Sequence, residues 1–305
     1  MHKFWKQLVL LLVGVAIGSG LLVGNYFYEQ KQAATTFIQR EHRPATEIGG
    51  LTPQQKQQLA SHTYQSGEGV VMYVNHGRST LNPKSWQKNQ VIYGQLDAQG
   101  RTSAGNTAFL QRRNHADNSL RTDQSVQPTG WHHNIDGELV YNRGHLIAYS
   151  LTAGINPQTG QYSASTVGDQ DNPRNLFTET DFVNQEIQTV YETKVRHAIE
   201  HGKKVIYQAT PIFRGNELVP RGINLQAVST DGQLNFNVYL QNVEPGVVIN
   251  YRDGSYYLDP TMAVPVPPDA EKAEDSKANN EGQFRFYGHY PRPVATAPRH
   301  YVRAW

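Results

Sequence analysis

The chain has 305 residues, a net charge of only +2 and no cysteine. Its length suffices for one sizeable core with appendages. The lack of cysteine excludes disulfides, zinc–thiolate sites and cysteine nucleophiles, and the near balance of charge means that any affinity for nucleic acid must come from local patches.

No charged residue occurs between Lys6 and Glu29, and Leu8 to Val23 is rich in Leu, Val, Gly and Ala. At about 1.5 Å per residue such a helix crosses a hydrocarbon core of roughly 30 Å. His2, Lys3 and Lys6 precede it, so the positive flank is expected to stay in the cytoplasm. Trp5 on one side and Tyr26, Phe27 and Tyr28 on the other suit the two interfaces. Residues 1–28 are thus expected to form a cytoplasmic start and single-pass membrane anchor, with the rest outside the cytoplasm. A cleaved signal peptide, which would make the chain secreted, has a shorter apolar run and a small-residue cleavage site. Here Gly18-Ser19-Gly20 is followed by more Leu and Val.

Residues 29–60 are polar and weakly periodic and read as a stalk, helical in Pro53–Ala60. Domain-like patterning runs from 61 to 260. Val70–Val74 and Val91–Leu96 are strand candidates, as is Gly137–Tyr141. Thr180-Asp181 marks a helix start and Gly202 its stop, with Val183, Ile187, Val190, Tyr191, Val195 and Ala198 at helical spacing between them. Lys203–Ile212 reads as a strand, and the strict alternation of Leu234, Phe236, Val238 and Leu240 makes Gln233–Gln241 another. Asp231-Gly232 and Asp253-Gly254 are turn dipeptides. Residues 261–305 combine a proline- and charge-rich linker with a tail of four arginines, two histidines and interleaved aromatics, a composition suited either to a solubilising tail or to nucleic acid or an anionic wall polymer.

The chemistry-bearing segment is Tyr141-Asn142-Arg143-Gly144-His145-Leu146, followed by Asn172-Pro173-Arg174-Asn175, then Asn184 and Glu192. A histidine after a strand is by itself most often structural; its companions make the case. At about 100° per residue, Asn184, Gln188 and Glu192 share one polar stripe bordering the apolar face of the helix. A hydrated Mg²⁺, which takes only one or two protein oxygens, would satisfy such groups. The competing expectation has Asn184 capping the helix and Glu192 pairing with Arg196. His132-His133, adjacent on a strand, would point to opposite faces and make a poor metal pair, and Asp169-Gln170-Asp171 lacks the remaining ligands of a calcium loop.

This pattern resembles the DNA/RNA non-specific endonucleases of the ββα-metal fold, and among them the membrane-anchored DNA-entry nucleases of streptococci. The likeness covers roughly Tyr64 to Pro260 and includes Pro128-Thr129-Gly130-Trp131, Gly144-His145-Leu146, Asn172-Pro173-Arg174-Asn175, Val183-Asn184-Gln185, Asn235-Phe236-Asn237-Val238 and Ile249-Asn250-Tyr251-Arg252. It implies an α+β fold: a ββα-metal nuclease core with a mainly antiparallel sheet and one main helix carrying metal-site residues. It also implies sequence-tolerant, Mg²⁺-dependent (Mn²⁺ as substitute) hydrolysis of DNA and RNA, leaving 5′-phosphates and 3′-hydroxyls. His145 would be the general base, Asn184 the direct metal ligand, Glu192 the holder of a metal-bound water, and Asn175 a supporting residue. Arg143, and on a preceding loop Arg112, Arg113 and Arg121, are candidates for binding phosphates. One departure stands out: the family motif begins with an acid where this chain has Asn142. An inactive or weakened surface module that binds nucleic acid or wall polymer is the alternative this leaves open.

Overall fold

The computed structural model describes residues 47–116, 123–133, 139–268 and 270. The expected anchor (1–28), most of the stalk, Arg121 and nearly all of the 261–305 tail lie outside the described residues. Among the described residues no helix is long and apolar enough to cross a membrane.

The compact unit begins at Ile48, earlier than the expected boundary at 61. Helix α1 (Pro53–Ser61) starts with a reciprocal capping box between Thr52 and Gln55, with proline in its first turn, and buries Leu59 against Ile212 and Tyr239. At the other end Val264 and Ala270 join the main core, so the packed unit also runs past Pro260.

Among the described residues ten strands follow: β1 (Val71–Tyr73), β2 (Gln90–Tyr93), β3 (Asn106–Leu110), β4 (Tyr141–His145), β5 (Leu176–Thr180), β6 (Val205–Ile212), β7 (Gly222–Ser229), β8 (Asn235–Gln241), β9 (Val247–Ile249) and β10 (Tyr256–Leu258). Six form one sheet in the order β1-β8-β7-β6-β3-β2, and β9–β10 and β4–β5 form two separate two-stranded sheets. Every ladder is antiparallel, as expected for a mixed fold with one main helix. The expected turns at Asp231-Gly232 and Asp253-Gly254 join β7 to β8 and β9 to β10.

Strands β6 and β7 are buried almost throughout because the large sheet is covered on both faces. Helix α2 (Thr189–Glu200) lays Val190, Tyr191, Val195, Ala198 and Ile199 on one face, in a core with Leu225, Ala227, Val238 and Leu240. Leu81, Phe109, Ile206 and Val228 cluster separately, backed by Ile48 and Trp86. This double cover buries the polar Asn224 and Gln226 of β7 along with its apolar Ile223, Leu225 and Ala227.

Two local readings change. Of the expected strand Gly137–Tyr141, Gly137 and Glu138 lie outside the described residues, and the observed strand β4 is Tyr141–His145, paired in register with β5. The helix that follows β5 opens with a π-helical stretch, Val183–Gln188, before becoming regular at Thr189. Strand β4, strand β5 and this helix make up the expected ββα unit.

Leu225 is fully buried at the centre of the main core. Leu225→Ala is expected to lower unfolding free energy by about 2–5 kcal/mol, read as a reduced urea midpoint with unchanged slope.

Candidate active site

Successive side chains of β4 alternate between its two faces. Tyr141 and Arg143 lie with His145 on one. Tyr141 donates to the Gly254 carbonyl at 3.0 Å and meets Tyr256 edge-on. The Arg143 guanidinium stacks 4.5 Å from the Trp131 ring centre, and its Nε donates to the Val126 carbonyl at 2.6 Å. The Pro128–Trp131 segment, singled out in the sequence, is therefore the platform that holds Arg143.

His145 is half-buried, and its Nε2 lies 3.1 Å from the Gln170 carbonyl. A carbonyl oxygen only accepts, so Nε2 carries the proton of the neutral ring and the lone pair sits on Nδ1. That is the tautomer a general base needs, with the basic nitrogen turned away from its anchor.

Asn175 is completely buried and positions the chain around His145. Its carbonyl accepts from the Leu146 amide at 2.9 Å, its Oδ1 from the Ile147 amide at 3.0 Å, and its Nδ2 donates to the Ile147 carbonyl at 3.0 Å. Asn106 on β3 donates to the same Oδ1 at 3.0 Å. The loop bearing Gln170 is fixed by Asp169, also fully buried, which accepts from Asn172 Nδ2 at 3.0 Å and whose amide donates to Thr152 Oγ1 at 3.1 Å. Burial pushes the Asp169 carboxyl up to about 6, against the opposing effect of hydrogen bonds from Tyr93 and Asn172.

On the helix side, Gln188 is the joint. Its Nε2 donates to the His145 carbonyl at 2.8 Å and to Glu192 Oε1 at 3.0 Å. Glu192 and Asn184 are half-buried and Gln188 is buried. The wider π-helical turn advances fewer degrees per residue than an α-helix, so a regular wheel does not hold across 183–188. Gln188 is bonded at once to Glu192 on its own helix and to the His145 carbonyl of β4. Among the described residues there is no cluster of three or more His, Asp or Glu placed to hold a metal. A hydrated divalent ion does not need one: the amide oxygen of Asn184 and the Glu192 carboxylate are hard oxygen donors of the kind Mg²⁺ or Mn²⁺ takes while keeping its waters. The buried Gln188 Oε1 beside them has no hydrogen-bond partner, which fits a polar, ion-holding pocket better than an apolar helix face.

Three residues of the site gave no clear sequence signal. Gln170 acts through its carbonyl, which no side-chain pattern reveals. Glu179 on β5 is wholly buried with neither oxygen partnered; an acid in Leu176-Phe177-Thr178-Glu179-Thr180 was the available hint. Asp181 accepts from Asn142 Nδ2 at 2.7 Å, which shows what the amide at the departed motif position does.

The arginines divide. Arg143 is within the site. Arg112 and Arg113 follow β3 at the end opposite Asn106, and at about 3.3 Å per residue the strand carries them roughly 13 Å or more from the Asn175 contact. Arg113 is held there by Asn89 and stacks on Tyr162. Both belong to an outlying surface.

The family model described as DNA/RNA non-specific endonuclease matches residues 79–231, a span holding all the site residues above. Two solved structures are similar in sequence and fold. The crystal structure of NucA from Streptococcus agalactiae with magnesium ion bound has 29% identity and a TM-score of 0.55, covering 68% of this chain and 96% of that one. The structure of NucA from Streptococcus agalactiae with no metal bound has 28% identity and a TM-score of 0.53, covering 68% and 95% respectively.

The raised Asp169 carboxyl sets a pH dependence. Its folded-state value near 6 exceeds the ordinary 3.8, so the protonated form favours folding. That stability is present below about pH 3.8 and lost as pH rises through 6. Asp169→Asn, which keeps an acceptor for Asn172, should therefore gain on wild type by about 2 kcal/mol between pH 4 and pH 8. Urea unfolding of both chains at the two pH values measures this; a difference that does not change with pH contradicts it.

Proposed function

The chain belongs to the DNA/RNA non-specific endonuclease family and is a nuclease that hydrolyses phosphodiester bonds, and from that premise we propose that it cuts DNA and RNA without sequence preference, with Mg²⁺ or Mn²⁺, outside the cytoplasm. One observation supports this above the others: the Gln188 amide bonds the His145 carbonyl and the Glu192 carboxylate at once, so the candidate base and the metal-side acid share one rigid joint.

In this reading His145 Nδ1 removes a proton from the attacking water while Gln170 holds the ring from the opposite nitrogen. The water oxygen bonds to phosphorus, the bond to the 3′ oxygen breaks, that oxygen takes up a proton from a second water, and the products carry a 5′-phosphate and a 3′-hydroxyl. Arg143, with Nε tied to Val126 and its face on Trp131, presents its remaining N–H groups to the phosphate in a fixed fork. Asn184 and Glu192 would hold the cation, Glu192 through a water. A bound divalent cation would neutralise charge developing on the phosphate and the leaving oxygen. Phosphate and sugar contacts carry no base sequence, which suits a sequence-tolerant enzyme.

The purified full-length chain is expected to degrade plasmid and RNA with Mg²⁺, and His145→Ala to lower the rate by about 10²-fold or more. Plasmid left intact by wild type with either Mg²⁺ or Mn²⁺ would overturn the proposal. The uncharged run from residue 7 to residue 28, preceded by Lys3 and Lys6, supports a membrane anchor with the nuclease domain outside. Protease added to intact cells should then digest the domain, whereas protection until lysis would place it inside.

A further inference from the structure

Glu179 is an acidic group beside this site that the mechanism above does not use, and both of its carboxyl oxygens are unpartnered. It sits in the middle of β5, directly across the ladder from Asn142, so the two side chains share a face of the β4–β5 pair. The motif position that is acidic in the family is an amide here, and the strand opposite carries the acid. Glu179 has no exposed surface, and neither carboxyl oxygen has a hydrogen-bond partner. Gly144 makes room for it: a Cβ at that position would lie 2.1 Å from Glu179 Oε2 and 2.7 Å from its Cβ. The carboxyl therefore occupies the space over the residue that immediately precedes His145.

Its surroundings point towards the metal side of the site. Burial, and then the charge of Glu192, push the Glu179 carboxyl well above its ordinary value. The buried Tyr207 hydroxyl on β6 feels both acids and also has no partner, as does Gln188 Oε1. An acid held without partners beside a second acid destabilises a fold. Glu179 thus makes no sense as a stabilising group; its carboxyl lies against Gly144, the neighbour of His145, whose carbonyl Gln188 joins to Glu192, and an acid so placed calls for a positive charge nearby.

We propose that Glu179 is a positioning residue of the metal centre, supplying from β5 a carboxylate that acts through Glu192 to hold the hydrated divalent cation. This rests on the reading of Asn184 and Glu192 as the metal-holding pair. Supporting groups of this kind change metal affinity by about 10- to 100-fold.

The test compares full-length wild type with Glu179→Gln by Mn²⁺ calorimetric titration and by thermal melting without and with Mn²⁺. The proposal expects Glu179→Gln to melt about 2 °C or more above wild type when metal-free, since a buried unpartnered acid is gone. It also expects Mn²⁺ to bind about tenfold or more weakly, with a smaller Mn²⁺-induced rise in melting temperature. A merely structural carboxyl would raise the melting temperature and leave Mn²⁺ affinity unchanged, and that result overturns the proposal. If Glu179→Gln does not fold, Glu179→Met, similar in volume and without polar oxygens, is titrated in its place under the same criteria. Wild type that fails to bind Mn²⁺ at all would overturn the metal-site reading itself, a different outcome from equal binding by both chains.

Discussion

The β4–β5 pair that carries the motif has no backbone ladder to the six-stranded sheet, and everything chemical depends on how that gap is closed. Side-chain amides close it. Asn242, just past β8, accepts from the Thr180 amide at 2.8 Å and donates to the Thr178 and Pro220 carbonyls at 3.1 Å each. Asn106 on β3 donates to the Arg174 carbonyl at 2.9 Å and to Asn175 Oδ1. Gln188 reaches the His145 carbonyl from the helix. Each of these bonds satisfies a buried polar group that a continuous sheet would have paired with a neighbouring strand. A single such bond contributes about 1 kcal/mol, but breaking one leaves a buried group unsatisfied at a larger cost.

An amide suits this task where a carboxylate would not. Asn175 both accepts from the Ile147 amide and donates to the Ile147 carbonyl, gripping both polar groups of one residue. A carboxylate could only accept, and would bring a charge into the core. The neutral joints also leave the electrostatics of the site to a few groups: Arg143 on one face of β4, and Glu192 and Glu179 towards the helix. The base is thereby pre-oriented by rigid neighbours instead of by a flexible ion pair. The chain has no cysteine, so covalent bracing contributes nothing to this stiffness.

The sequence showed where the residue types were unusual and concealed where the backbone does the work. His145, Asn175 and Glu192 were legible because their order and spacing are specific, and the structure joins them through Leu146, Ile147 and Gln188. The main helix was legible from its apolar spacing, whereas the π-helical turn at its start was not, because periodicity over six residues cannot separate the two helix types. Strands β3 and β5 are buried along their whole length and lack the alternation that revealed β8. Arg112 and Arg113 resembled phosphate ligands only as charges; the length of β3 takes them away from the site. Gln170 could not have been found by residue type, since its contribution is a carbonyl.

Asn142 is where sequence and structure bear on each other most closely. Taken alone it is a lost charge in an acidic motif position. In the fold its amide donates to Asp181, whose carboxyl is pushed up by burial while the Asn142 bond opposes that rise. Across the ladder lies Glu179, buried and acidic. A third carboxylate at position 142 would face both acids from hydrogen-bonding distance of one and directly opposite the other, and like charges so placed destabilise a strand pair. It would also remove the donor that Asp181 uses. The amide is therefore what allows two acids to occupy the β5 side of this face. The departure from the motif does not empty this face of acids, because Glu179 lies on the facing strand and Asp181 just past it, and the tautomer and orientation of His145 rest on Gln170 and Asn175, which are independent of residue 142.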